Sequence, residues 1–239
     1  MGETTGKAVA GFAAWAATYD QTIANEVQKY MGMSYAEVLR RVIEAAEVEP
    51  GASVLDVGTG TGALALALAR QLPTGHVTGV DPTAEMLQRA QRGARQAGLA
   101  ESIEFHCAPA EALPFPDASF DAVVSSIALH HTQVRKSLRE MVRVLKPGGR
   151  LSIADPARNP RWASVPGLVM KLCLGALYLL RKRSLTIVRA ELDSMKQLFT
   201  KGEWEDMLRE AGLHSVEVQE VPHPTSQWYS SMLFIRAGK

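Results

Sequence analysis

The sequence predicts an α/β protein built on a parallel sheet with helices on both faces. Three observations predict it. Short apolar runs at 53–57, 76–80, 103–107, 120–125 and 150–154 alternate with helix-patterned segments at 63–70, 83–97 and 131–145, the rhythm of a parallel sheet with right-handed crossovers. A glycine loop, Gly58-Thr-Gly-Thr-Gly62, joins the first of these strands to the first of these helices. Asp81, Ala110 and Ser126 fall just past later strand ends, where open α/β sheets collect their ligands.

The elements follow in order. Residues 8–30 place Phe12, Trp15, Tyr19, Ile23, Val27 and Tyr30 on one helical face, and Gly32 ends the pattern. Packing accounts for most of this stripe; at Tyr19-Asp20 an aromatic hydroxyl would close over a site. Val38, Leu39, Val42, Ile43 and Ala46 give a second amphipathic helix, so residues 8–47 form an N-terminal helical cover. Val54, Leu55 and Val57 suit a buried central strand. Glycine lets the loop turn sharply and a ligand lie against the backbone, and 63–70 is strong helix former. The second strand ends in Asp81-Pro82. The helix over 83–97 turns Met86, Leu87 and Ala90 inward, and Gly98 stops it. Residues 108–116 read as a loop, so the third crossover shows no clear helix. The helix within 131–145 buries Val134, Leu138, Met141, Val142 and Leu145; Lys146-Pro-Gly-Gly149 breaks it before a fifth strand at 150–154. Residues 156–200 depart from the alternation. Trp162 to Leu180 is rich in Leu, Val and Met with one charge, Lys171, and Arg181-Lys-Arg183 follows. Pro166, Lys171 and Gly175 interrupt it too often for a membrane span, so it reads as a buried or interfacial helical insertion. A helix over 202–212 and two antiparallel strands at 215–221 and 228–236 close the chain.

Composition narrows the function. The chain has 239 residues, 46% of them hydrophobic, and a net charge of +1, so no strong pull toward nucleic acid is implied. Cys107 and Cys173 are the only cysteines, and neither has metal-ligand spacing. Met1 to Lys7 is polar with no apolar signal core. A single domain over 1–239, in the cytoplasm and without a metal, is the expectation.

The glycine loop alone is ambiguous, because Gly58, Gly60 and Ala63 also satisfy the dinucleotide fingerprint. Asp56 argues the other way: a carboxylate two residues before the first glycine would meet a cationic ligand group, or be satisfied at the strand end. Four signatures in order carry a resemblance. They are Val54-Leu-Asp-Val-Gly-Thr-Gly-Thr-Gly62, Gly79-Val-Asp81, Ala110-Glu-Ala-Leu-Pro-Phe115 and Leu145-Lys-Pro-Gly-Gly149, supported by Phe120-Asp-Ala-Val-Val124 and Leu129-His-His131. With these the chain resembles the class I S-adenosylmethionine-dependent methyltransferases, and within them the branch of the ubiquinone/menaquinone-biosynthesis C-methyltransferases.

That resemblance implies a Rossmann-like, seven-stranded sheet, mostly parallel with an antiparallel last strand. It implies S-adenosylmethionine as cofactor. Gly58, Gly60 and Gly62, with Thr59 between them, would admit its methionine end, and Asp56 would lie near the ammonium group. Asp81 would accept from both ribose hydroxyls, as a carboxylate's two oxygens can. Met86 would pack on the adenine ring, Ala110 and Glu111 would line its edge through backbone groups, and Pro82, Ser126 and Tyr19 would complete the site. Where the branch often has an aspartate that reads the adenine amine, this chain has Pro109, leaving that contact to other groups such as Glu111. The sulfonium methyl is already activated, so the protein chiefly aligns the reactants and excludes water. His130 and His131 follow the fourth strand; either would take a proton from the acceptor, or both are structural.

The acceptor implied is small and apolar or aromatic, covered by the insertion 156–200 and methylated at carbon or oxygen. A peripheral membrane contact through 162–183 goes with that reading. A lipid or amine N-methyltransferase, a nucleotide-linked oxidoreductase and a non-catalytic cofactor-binding protein are the alternatives.

Overall fold

The computed structural model describes residues 12–13, 19–163 and 195–239. The insertion expected over 156–200, the membrane contact expected over 162–183 and the basic run at 181–183 lie largely outside the described residues.

The helices are α1 (Tyr19–Met31), α2 (Tyr35–Ala46), α3 (Ala63–Gln71), α4 (Ala84–Gln96), α5 (Val134–Val144) and α6 (Lys201–Glu210). The strands are β1 (Ser53–Val57), β2 (His76–Asp81), β3 (Ile103–Cys107), β4 (Phe120–Ser126), β5 (Leu145–Pro156), β6 (His214–Val221) and β7 (Met232–Gly238). They form one sheet in the order β3-β2-β1-β4-β5-β7-β6. Pairing is parallel from β3 to β5, and β7 runs antiparallel to both β5 and β6. The strand order reverses between β1 and β4, which opens a crevice at their carboxyl ends.

Alternation along the strands sets the two faces. Leu55 and Val57 join Leu138, Met141, Leu151 and Trp204 in the core beneath α5 and α6. Val54 joins Val38, Val42, Leu64 and Leu68 in the core beneath α2 and α3. Asp56 has the parity of Val54, so it is turned toward the α2 side and is only 1% exposed. Helix α2 starts where Ser34 accepts the Glu37 N–H at 3.2 Å, a side-chain cap. Burying its Val38, Val42 and Ile43 stabilises the packing by about 1.5–3 kcal/mol per side chain.

Two boundaries differ from the sequence reading. Lys146 to Gly149 ends α5 but does not delay β5, which begins at Leu145. Leu145 pairs with Phe120 and Arg150 with Ala122, so the Pro-Gly-Gly residues bulge out of the ladder. Gly148 sits at φ +79 and donates to the Lys239 carbonyl at 2.6 Å. The last strand begins at Met232, not 228. The Asn159 amide takes the Gln227 and Tyr229 carbonyls at 3.0 and 2.9 Å, and Trp162 Nε1 takes that of Trp228 at 2.9 Å. Side chains claim the acceptors that a strand there would need.

Candidate active site

Four loops at the carboxyl ends of the parallel strands meet in one cleft. Gly58 and Gly60 come from the loop after β1, Asp81, Pro82 and Thr83 from the end of β2, Ala108, Ala110 and Glu111 from the loop after β3, and Ile127, Ala128, His131 and Thr132 from the loop after β4. Phe12, Tyr19, Val80 and Met86 complete the wall of this cleft, which opens to solvent.

The glycine loop is fixed from below. Gly58 N–H and Thr59 N–H both donate to the Val80 carbonyl, at 2.8 and 2.9 Å. Gly58 has φ +74, and a Cβ there would lie 2.4 Å from the Ala128 Cβ. Only glycine holds that turn and that close approach of the loops after β1 and β4. Gly62 is backed by Ala90 in the same way, its would-be Cβ 3.0 Å from the alanine's.

Asp81 stands at the crevice floor, 9% exposed. Its Oδ2 accepts the Gly60 N–H at 3.0 Å and its Oδ1 the Thr83 N–H at 2.8 Å. The Thr83 side chain also donates to this carboxylate, and of its roughly four acceptor positions capacity is left for a further donor. Burial pushes its pKa up, and the two backbone N–H bonds, with the Thr83 side chain, oppose that shift.

Asp56 does not line the cleft. It lies on the α2 face beneath the loop, where Oδ2 accepts from Thr59 Oγ1 at 2.7 Å. Burial raises its pKa to about 7, with Asp81 adding to the shift. Thr59, Gly62, Ser126 and His130 are likewise outside the cleft wall. Ser126 Oγ is 3.5 Å from the Tyr35 hydroxyl, whose pKa burial lifts to about 12. Tyr35, Thr59, Asp56 and Ser126 thus make a polar layer under the loop.

The two histidines have different surroundings. His130 is buried, with Nδ1 at 2.8 Å from Asp155 Oδ1. His131 lines the cleft; burial, then the neighbouring His130, depresses its pKa well below the ordinary histidine range. The two rings lie 4.0 Å apart, and Phe12 stands edge-on to His131 at 4.9 Å. Glu111, expected at the adenine edge, lines the cleft, and its Oε1 accepts from the Gln133 N–H at 2.8 Å, at the start of α5.

Sequence reasoning missed several residues. Asp155 is an acid in an otherwise apolar strand end, a signal of the same kind as Asp56. Ile127 has φ +53, an outlier for a β-branched residue that no sequence pattern announces. Arg89 and Thr61 gain importance only through Asp20, to which both turn. Among the described residues no group of acidic, histidine or cysteine side chains has metal-binding geometry, and no helix is long and apolar enough to cross a membrane.

Residues 54–149 match the family model described as a methyltransferase domain. The ubiquinone/menaquinone biosynthesis C-methyltransferase UbiE of Hahella chejuensis is 45% identical over 118 residues, which is 48% of this chain and 47% of that protein. The uncharacterized methyltransferase YcgJ of Bacillus subtilis is 42% identical over 120 residues, 50% of this chain and 46% of that protein. The chain therefore spans about half the length of the curated relatives it matches. The crystal structure of the Bacillus subtilis YcgJ protein superposes with a TM-score of 0.65 at 25% identity, covering 86% of this chain and 99% of that one.

Proposed function

We propose that this chain, whose central part is a class I S-adenosylmethionine-dependent methyltransferase domain resembling the UbiE branch, transfers the methyl group of S-adenosylmethionine to a small apolar or aromatic acceptor, at carbon or oxygen. The observation that carries the reading is the pairing of Gly58 with Asp81. Gly58, which its positive φ and its close approach to Ala128 restrict to glycine, lines the same cleft as a buried carboxylate with accepting capacity left for a ligand.

The residues fit the cofactor as follows. Gly58 and Gly60 admit its amino-acid end against bare backbone, and the polar layer with Asp56 lies below as a counter-charge for the ammonium. Asp81 takes the ribose hydroxyls. Pro82 and Met86 flank the adenine, with Ala110 and Glu111 at its edge, and Tyr19 closes over the loop. The cofactor supplies a methyl activated by the sulfonium charge. The protein's contribution is alignment and the exclusion of water. In this reading the chain works as one domain over 1–239, residues 8–47 and 156–200 cover the acceptor, and any peripheral membrane contact runs through 162–183. The balanced charge gives no reason to assign a nucleic-acid acceptor.

Calorimetry with S-adenosylhomocysteine and NAD tests the cofactor, and a labelled-methyl screen against quinols, phenols, amines and lipids tests the acceptor. Binding of NAD with none of the sulfur nucleoside would replace this reading with the oxidoreductase one. Methyl transfer to amines alone would replace it with the N-methyltransferase one.

A further inference from the structure

His131 lines the cleft from the loop after β4. Its Nδ1 is buried and has no hydrogen-bond partner in the structure. A buried nitrogen left unmatched costs roughly 1–3 kcal/mol, so it calls for a partner, and in a ligand cleft a donor on the ligand can be that partner. The aromatic edge of Phe12 covers the ring at 4.9 Å. On the other side stands His130, whose ring is tied to Asp155 at 2.8 Å and packs 4.0 Å from His131.

We propose that His131, and not His130, holds the reacting end of the acceptor: its Nδ1 receives a hydrogen bond from an acceptor O–H, and His130 with Asp155 positions the ring. The proposal rests on the methyl-transfer reading of the cleft. The donor is a neutral hydroxyl, because a cationic ammonium would enter a site that already receives a sulfonium. During transfer the acceptor oxygen forms a bond to the methyl carbon as the carbon–sulfur bond breaks, its electron pair passing to sulfur. The O–H proton moves to Nδ1 and leaves to solvent with product release. An imidazole of low pKa serves here, since the hydroxyl becomes strongly acidic as the new bond forms. Its neutrality in the resting site also spares the sulfonium a neighbouring positive charge.

The test uses the whole chain loaded with S-adenosylhomocysteine, so no turnover is needed. 2-Naphthol and its methyl ether, 2-methoxynaphthalene, are the probes, read by calorimetry and by the Nδ1 resonance of His131 in histidine-labelled protein. The expected result is at least tenfold tighter binding of the naphthol, with a shifted Nδ1 resonance. His131→Ala and His131→Phe should erase the preference while S-adenosylhomocysteine affinity stays within about twofold. Equal binding of the two probes to the parent, no binding of either, or a preference that survives both substitutions overturns the proposal. Failure of S-adenosylhomocysteine to bind the parent is a different result and counts against the methyl-transfer reading itself.

Discussion

Asp20, in the first turn of α1, accepts a hydrogen bond from Thr61 Oγ1 at 2.6 Å, tying the N-terminal helix to the glycine loop. Arg89 of α4 approaches the other Asp20 oxygen at 3.6 Å. Tyr19, the neighbour of Asp20, lines the cleft; a Cβ added at Gly60 would be 3.9 Å from its ring. The first turn of α1 is therefore latched over the loop that the proposed function assigns to the cofactor. Asp20→Ala should weaken S-adenosylhomocysteine binding by about three- to tenfold, the range of one hydrogen bond worth about 1 kcal/mol. Asp20 is 59% exposed in its ion pair, so the salt-bridge part is small and Tm should barely move. Calorimetry and thermal melts check both halves. Unchanged affinity would leave the contact as ordinary packing.

A second prediction concerns Asp81. Its oxygens hold the Gly60 and Thr83 N–H groups as well as facing the cleft. Asp81→Ala then loses both anchors and the ribose contacts, so S-adenosylhomocysteine affinity should fall more than tenfold and Tm should drop too. Asp81→Asn keeps one carbonyl acceptor and should lose affinity with a smaller loss of Tm. An alanine variant that binds as the parent does would show that the carboxylate has no ligand role.

Third, Gly58→Ala should fail on two counts. The residue is at φ +74, and the new methyl would meet the Ala128 Cβ at 2.4 Å. The added substitution Ala128→Gly removes the clash but not the dihedral strain. The double variant should recover part of the Tm lost in Gly58→Ala, a coupling that a double-mutant cycle measures. Strict additivity would mean the loops do not press on each other as the structure has them.

Much of this was legible in the sequence, for reasons that differ by residue. The alternation of apolar runs set the five parallel strands, because buried strands leave a period that local propensity does not blur. Gly58 and Asp81 were readable because a sharp turn needs glycine and a strand-end acid needs a partner. The start of β7 was not, since the carbonyls of 227–229 are claimed by Asn159 and Trp162, some 66–70 residues earlier. The difference between His130 and His131 was equally hidden. It depends on Asp155, Phe12 and the 3-10 turn Leu129–His131, which sends adjacent side chains to different surroundings.

The last prediction concerns pH and Asp56, whose pKa rises from 3.8 to about 7 through burial on the α2 face. In the unfolded chain this carboxyl ionises near its ordinary value, while the folded protein keeps the proton until about pH 7. Between those limits the folded state binds more protons than the unfolded one. Stability therefore falls as pH rises through the window and is level on either side. At about 1.4 kcal/mol per pH unit the effect has a ceiling of about 4 kcal/mol. Asp56→Asn removes the titrating group, and its side-chain oxygen still accepts from Thr59. The variant should match the parent in Tm at pH 4 and exceed it at pH 8. Comparing the two proteins isolates Asp56 from Asp81, which titrates in both and whose pKa is also raised by burial. Ligand binding should run against stability: a bound ammonium favours the ionised carboxylate, so S-adenosylmethionine should bind the parent more tightly as pH rises toward 8 and release protons near pH 7. Calorimetry in two buffers of different ionisation enthalpy reads that release, which should be absent from Asp56→Asn. A Tm difference between the two proteins that stays constant from pH 4 to 8 would mean that Asp56 is already ionised throughout, and that the charge beneath the loop needs no ligand to hold it.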